Sequence, residues 1–434
     1  MRPTAKHGGL TIRTRWTILE QLRKHYVWAV VAMGTLAVFG SLGLARFGYT
    51  VVLPAMQSDL GLDNTQAGVL ATANLSGYLA LSLIGGALAT RFGPRVVVAL
   101  GLAVTGTGML FTGLGNGLLP LAAWRALTGL GSGASNITVL GLLAAWFTAR
   151  RRGLGAGIAV AGSSIGLIVV GTMVPRILAA YGDSGWRLCW YIFGGITLTL
   201  ALGSYLVLRN SPSELGLEPV GRNGEAPAPS VKRQRPQWGL VYRSPTVWHL
   251  GLVYVAFGFS YIIYMTFFTK NLIAEGGYTQ EAAGSLFMVM GWASLFCGLI
   301  WGTASDVIGR KRALVIVYLI HTAAFGLFSL WQSPAGFTIS AVLFGLSAWS
   351  IPAIMAATCG DILGPRLAPA ALGFITVFFG IGQAVSPSIA GAIADRADSF
   401  YPVFLLAAGV AFVGAVGASL LRTSGMKERT LDRI

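Results

Sequence analysis

Acidic side chains are scarce in this sequence: 15 Asp and Glu stand against 31 Lys and Arg, and charged residues of both signs make up only 11% of the chain. Soluble domains carry roughly 25%. With 54% hydrophobic residues beside so few charges, water cannot be the solvent for most of this surface. Cysteine is scarcer still. Cys189, Cys297 and Cys359 stand in or near apolar runs, without disulfide or zinc spacing, and read as small packing residues. His7, His25, His249 and His321 are isolated and no P-loop is present. These absences argue against an enzyme, a metal centre, a bound cofactor and ATP-driven pumping. No cleavable leader is expected either, because the basic N-terminal arm runs into an apolar stretch too long for a signal h-region.

What the chain has in quantity is apolar runs of about 18 to 27 residues, each long enough to cross a hydrocarbon core of roughly 30 Å. They lie near 27–53, 65–90, 95–114, 118–146, 153–178, 186–208, 247–272, 280–304, 312–331, 336–360, 370–393 and 400–421. The fold class is therefore all-α integral membrane, with twelve transmembrane helices and the lipid bilayer as solvent. A net charge of +16 would suggest nucleic acid in a soluble protein, but here most of the basic residues fall in alternate loops and at the ends. Arg91 and Arg95, residues 150–152, the 209–246 stretch, residues 310–312 and both termini hold most of them, whereas the opposite loops hold Arg176, Arg187, Lys270 and Arg396. No nucleic-acid partner is expected. By the positive-inside rule both termini are cytoplasmic, in a multi-pass protein of a bacterial-type inner membrane.

The organisation follows: a basic cytoplasmic arm at 1–26, a six-helix bundle at 27–208, a polar, Pro-rich cytoplasmic linker at 209–246, a second bundle at 247–421 and a tail at 422–434. One constant offset pairs Gly68 with Gly284, Gly86 with Gly302, Gly93 with Gly309, Gly129 with Gly345, Gly157 with Gly373 and Gly166 with Gly382. Such a gapless repeat marks an internal duplication, which in transporters puts the ligand at the interface of the halves. Two loops have matching chemistry. Gly302, Asp306, Gly309, Arg310, Lys311 and Arg312 follow the eighth run, and Gly86, Arg91, Gly93 and Arg95 follow the second, with Thr90 in the place of Asp306. The fourth run carries Arg125, Gly129, Gly131 and Gly133. These motifs resemble those of the major facilitator superfamily over nearly the whole chain. The resemblance implies two pseudo-symmetric six-helix bundles, a monomer, and alternating access gated by Asp306, Arg310, Arg91 and Arg95. The same loop charges could instead serve topology alone.

Inside the membrane the charges do not balance. Arg46 lies in the first run and Arg125 in the fourth, and no Asp or Glu lies deep in any run. Each Arg near a bilayer centre costs about 2.5–3.5 kcal/mol on insertion scales unless it meets water, carbonyls or an anion. The superfamily fold implies that the first, fourth, seventh and tenth helices line the cavity. Arg125, Ser132 and Asn136 share one helical face, as do Arg46, Tyr49 and Thr50. Two guanidinium forks suit a carboxylate, whose oxygens they match bidentately. The facing side offers Tyr254, Tyr261, Tyr264, Trp349, Ser350 and Gln383 as an amphipathic wall. The bland alternatives are a structural strut for the arginines, interhelical glue for Ser132 and Asn136, and packing for the tyrosines.

Arginines on the first and fourth helices are similar to those of the superfamily's organic-anion branch, which implies a transporter, secondary active or facilitative, for a small organic carboxylate. Proton-coupled members of that branch have acids where this chain has Ala45 and Ser132, so exchange or uniport is expected in place of proton symport. A drug or cation exporter would need a buried acid that is missing here. A membrane receptor that binds without moving solute stays open.

Overall fold

The computed structural model describes residues 26–148, 152–220 and 238–421. The tail, all but the last residue of the basic arm, and the middle of the linker lie outside the described residues. Among the described residues eleven helices are long and apolar enough to cross a membrane, and a pair bent by 47° makes twelve when it is counted as one span. The first half comprises α1 (Tyr26–Leu60), α2 (Asn64–Phe92), α3 (Pro94–Leu114), α4 (Leu118–Trp146), α5 (Arg152–Tyr181) and α6 (Gly185–Val207). The second comprises α7 (Pro245–Ala274), the bent α8 (Gln280–Leu295 with Ile300–Ile308), α9 (Arg310–Leu330), α10 (Pro334–Leu363), α11 (Ala370–Ala397) and α12 (Tyr401–Ser419). The all-α, twelve-span architecture is thus the expected one.

Local chemistry explains the helix ends. Asp63 caps α2 in a capping box, accepting from the Gln66 backbone N–H while the Gln66 side chain accepts from its own. The α2–α3 and α8–α9 turns pivot on Gly93 (φ 86°) and Gly309 (φ 89°), a backbone region that disfavours any side chain with a Cβ. The duplicated loop glycines therefore do the same geometric task in each half. Gly129 and Gly133 let α4 lie against α2, since a Cβ there would fall 1.9 Å from the Asn74 oxygen and 2.3 Å from the Tyr78 oxygen.

Several helix details depart from the sequence reading. The first span runs on to Leu60 through Pro54. Residues Phe39–Phe47 of α1 form a π-helix, which a hydropathy pattern cannot signal. In the second half α8 bends at Phe296, and α10 opens into a turn at residues 346–349. The two breaks support each other, because the Trp349 N–H donates to Cys297 Sγ at 3.2 Å and Trp301 Nε1 donates to the Leu346 oxygen at 3.0 Å.

The halves meet along two antiparallel seams. On α2 and α11, Asn64 faces Gly391, Gly68 faces Pro387 and Leu79 faces Gly380. On α5 and α8, Gly171 and Pro175 face Gly284, and Ile168 faces Gly291. At the face opposite the basic loops these seams are tight: a Cβ on Gly68 would lie 2.2 Å from the Pro387 oxygen, and one on Gly171 would lie 2.5 Å from the Gly284 oxygen. Thr50 Oγ1 also donates to the Met265 oxygen (2.6 Å), and Gln280 Nε2 donates to the Val51 oxygen (2.8 Å). Toward the basic loops the same stripes continue to Gly86, Gly373, Gly157 and Gly302, where an added Cβ would meet nothing. The buried apolar side chains divide accordingly. One cluster unites the second half with the far end of the first (Leu53, Leu70, Val170, Trp190), while another stays within the first half near the basic loops (Val30, Val98, Leu142, Trp146). The molecule is closed at one face and parted at the other.

Candidate functional site

The π-helical turn of α1 presents Arg46 near the middle of that helix. Arg46 is 9% exposed. Its Nη1 donates to Gln383 Oε1 of α11 at 3.1 Å and to the Tyr261 hydroxyl of α7 at 3.4 Å, and its guanidinium lies 4.2 Å from the centroid of the Tyr78 ring of α2. Tyr261 also donates to Gln383 Oε1 (2.6 Å), and Asn136 Nδ2 of α4 donates to the Tyr78 hydroxyl (2.9 Å). Five helices from both halves thus converge on one cation. Its Nε and Nη2 are buried without a hydrogen-bond partner. Those two N–H groups form one edge of the guanidinium, the edge that engages a carboxylate bidentately.

Arg125 is held differently. It is 1% exposed, its Nη1 donates to the Ala45 oxygen of α1 at 2.8 Å, and it lies 4.6 and 5.0 Å from the ring centroids of Tyr49 and Trp190. Tyr49 is itself fixed, donating to the Ala67 oxygen (2.7 Å), and Asn74 Nδ2 donates to the Arg125 carbonyl (3.1 Å). Arg125 therefore ties α4 to the irregular part of α1, with its Nε left unpaired. Between the two arginines lies a void of about 10 Å³, lined by Thr50, Asn74 and Thr266 among others. That is room for about one water. Neither arginine has a carboxylate partner among the described residues.

The residues singled out from the sequence are not all brought to one place. Arg46, Tyr261, Gln383 and Asn136 come together through Tyr78, whereas Ser132 bonds within its own helix, donating to the Gly129 oxygen (3.0 Å). Trp349 stands across the seam: its Nε1 donates to Ser164 Oγ of α5 (3.1 Å), and its ring lies 5.5 Å from that of Phe47. Ser350 donates back to the Ser347 oxygen (2.6 Å). Tyr254 is stacked 4.6 Å from Phe379 and is buried beside Phe257. Tyr264 is not brought to the arginines. It is buried inside the second half among Phe325, Phe328 and Phe344, with its hydroxyl 2.7 Å from Ser340 Oγ. Tyr78, Ser164 and Phe379 lie outside the first, fourth, seventh and tenth helices, on which the sequence pattern places the cavity, and Phe47, on the first, is not distinguished there from its apolar neighbours. The seam glycines on α2, α5, α8 and α11 were the available signal for the rest.

At the basic face Arg310 pairs with Asp306, one turn earlier, and with Asp361 of α10 at 3.3 Å. Among the described residues the corresponding loop of the first half shows no such pairing. Thr90 donates to the Ala87 oxygen of its own helix (2.7 Å), Arg91 lies over Phe92, and Arg95 lies 4.5 Å over the Tyr205 ring, with its backbone N–H bonded to Asn210.

A family model described as "Uncharacterised MFS-type transporter YbfB" matches residues 38–419. The chain is 24% identical over 396 residues to the "Probable sulfoacetate transporter SauU" of Cupriavidus necator, covering 86% of this chain and 89% of that one. It is 24% identical over 388 residues to the hexuronate transporter of Bacillus subtilis, covering 85% and 88%. Its fold is similar to that of a bacterial homologue of the human lysosomal transporter Spinster, with a TM-score of 0.72 at 17% identity, over 94% of this chain and 98% of the other.

Proposed function

This chain belongs to the major facilitator superfamily of transporters, and from that premise we propose that it carries a small organic carboxylate, anchored by Arg46. One observation carries the reading: the Nε and Nη2 edge of Arg46 is buried and unpartnered, with no carboxylate beside it among the described residues. A guanidinium in that setting is stable only if an anion or water completes it. Tyr78, Asn136, Tyr261 and Gln383 offer hydroxyl and amide groups around the same cation, and Phe47 adds an apolar side chain to the void beside it. Arg125 acts through α1, holding the backbone of Ala45 so that Arg46 keeps its aim.

Sulfoacetate and hexuronate, which name two relatives, are both small carboxylates, and they head the set of candidate substrates. In thermal unfolding of the purified protein, the true substrate at 100 times its Kd stabilises by about 2.7 kcal/mol, and its uncharged amide does not. Uptake of that compound into proteoliposomes distinguishes a carrier from a receptor. If no carboxylate stabilises the protein while cationic compounds do, the anion reading is wrong. With Ala45 and Ser132 where acids would serve a proton symporter, transport is by exchange or uniport.

The basic face is cytoplasmic in this reading, since Arg91, Arg95, Arg310, Lys311 and Arg312 all lie there. The described conformation then faces inward. Reporter fusions inserted between residues 221 and 237 and after Ile434 are expected to give cytoplasmic signals. A signal from the far side at either position overturns this orientation.

A further inference from the structure

The outer ends of the two seams are closed by different chemistry. At its outer end the α5–α8 seam packs Pro175 against Gly284, and its polar side-chain bonds, Thr172 to Met288 Sδ and Ser294 to Ser164, lie further in. The α2–α11 seam ends in a charge: the carboxylate of Asp395, on the last turn of α11, accepts from the backbone N–H of Asn64 at 3.0 Å, from the backbone N–H of Thr65 at 2.7 Å and from Thr65 Oγ1 at 2.5 Å. These are first-turn donors of α2, which a helix cannot satisfy by itself. The α2 cap residue, Asp63, is already committed to the Gln66 N–H, so the first turn is completed only by a side chain from the other half. Gly391 makes the reach possible. A Cβ there would fall 2.1 Å from the Asn64 oxygen, so the two backbones touch one turn before Asp395.

We propose that Asp395 is a positioning residue for transport: it caps α2 across the halves and latches the outer gate shut while the carrier faces inward. The duplication supports a specific role. The constant offset that pairs Gly68 with Gly284 places Ala179 of α5 opposite Asp395, and Ala179 has no carboxylate to offer the start of α8. The latch is therefore particular to one seam. Its strength suits a gate. All three bonds lie in exposed surroundings, where water replaces them when the halves part, so the closed state is favoured without being locked. A negative group at a helix N-terminus is also aligned with the helix dipole.

The test uses the full chain, its three native cysteines being buried, with one reporter cysteine introduced at one of two places. Ala71 lines the void between the arginines and is buried behind the outer gate. Gly373 lies on the parted inner end of the α11 stripe. Membrane-impermeant thiol reagents are applied from each face to Ala71→Cys and Gly373→Cys proteins, with and without Asp395→Asn or the milder Thr65→Val. Loss of a capping interaction corresponds to a change of about fivefold in the closed-to-open ratio. Asp395→Asn is expected to raise labelling at position 71 from outside by about that factor and to lower labelling at position 373 from inside, with Thr65→Val shifting both in the same sense by less. If labelling at both positions rises together, Asp395 merely stabilises the fold and the proposal fails. Unchanged labelling in both variants also overturns it. Neither variant touches Arg46, so carboxylate binding measured by thermal shift reports separately on the substrate reading.

Discussion

Arg46→Lys lowers affinity for the transported carboxylate by roughly 30- to 150-fold while leaving folding and membrane insertion intact. The size follows from what Lys keeps and loses. Its ammonium preserves the charge, but it has no planar edge carrying two parallel N–H groups. Losing one charge-assisted hydrogen bond of a bidentate pair costs about 2–3 kcal/mol, which is that range in Kd. The stability of the empty protein should change less than the affinity, because Nε and Nη2 have no partner in it. Arg125→Lys is the contrast. It removes the bond to the Ala45 oxygen and the contact with the Tyr49 and Trp190 rings, so its main effect appears as a lower unfolding temperature, with a smaller loss of affinity. Binding titrations and thermal unfolding of both variants decide the assignment. Normal carboxylate binding by Arg46→Lys would show that the ligand does not use that edge.

Gly86→Leu and Gly373→Leu each abolish transport, with at least about a 100-fold loss of turnover, yet fold normally and bind substrate from the basic face within a few-fold of the parent. The two glycines extend the stripes along which α2 and α11 meet, and in this conformation neither has a neighbour for an added Cβ. A larger side chain is harmless here. Alternating access requires the parted end to close while the far end opens, and the closed end shows how near the backbones must come: 2.2 Å between a Cβ on Gly68 and the Pro387 oxygen. If the basic end closes as tightly, a leucine at either position opposes that state by about 3 kcal/mol, or roughly 100-fold in its population. Gly157 and Gly302 stand in the same relation on the other seam, and leucine there should act alike. Exchange measured in proteoliposomes, beside binding in detergent, separates this block from misfolding. A Gly86→Leu protein that transports at the parent rate would mean that the α2 and α11 backbones stay apart at the basic face throughout the cycle.

The parts of the fold legible in the sequence are those set by local chemistry. Apolar length gives the spans, and the loops show their basic character directly. The duplicated glycines could be matched by offset alone, although why Gly68 is packed and Gly86 is free could not be read from it. The π-helical stretch of α1 was invisible because its residues, Phe39 to Phe47, are as apolar as those of an ordinary span. Arg46 and Arg125 looked equivalent in the sequence, both buried and both without an acid. Tyr264 looked like a companion of Tyr261, three residues away on the same helix. Tertiary packing gave it a different neighbourhood, since α7 is buried on nearly all sides and its tyrosines point into two different interiors.

The sequence alone determined that the chain spans a membrane in two related halves and that its interior holds two cations with no matching acid, because hydropathy and charge are properties of residues. Only the tertiary structure decided which cation is spent on the scaffold and which keeps a free edge. A guanidinium's role depends on what its five N–H groups meet, and Ala45, Tyr49, Trp190, Tyr261 and Gln383 come from helices far apart in the chain. The same holds for the gate. Asp395 is one carboxylate among 15 acids in the sequence, and it becomes a latch only because Gly391 and Gly68 let α11 lie close enough to α2 for a side chain to finish the first turn of a helix in the other half.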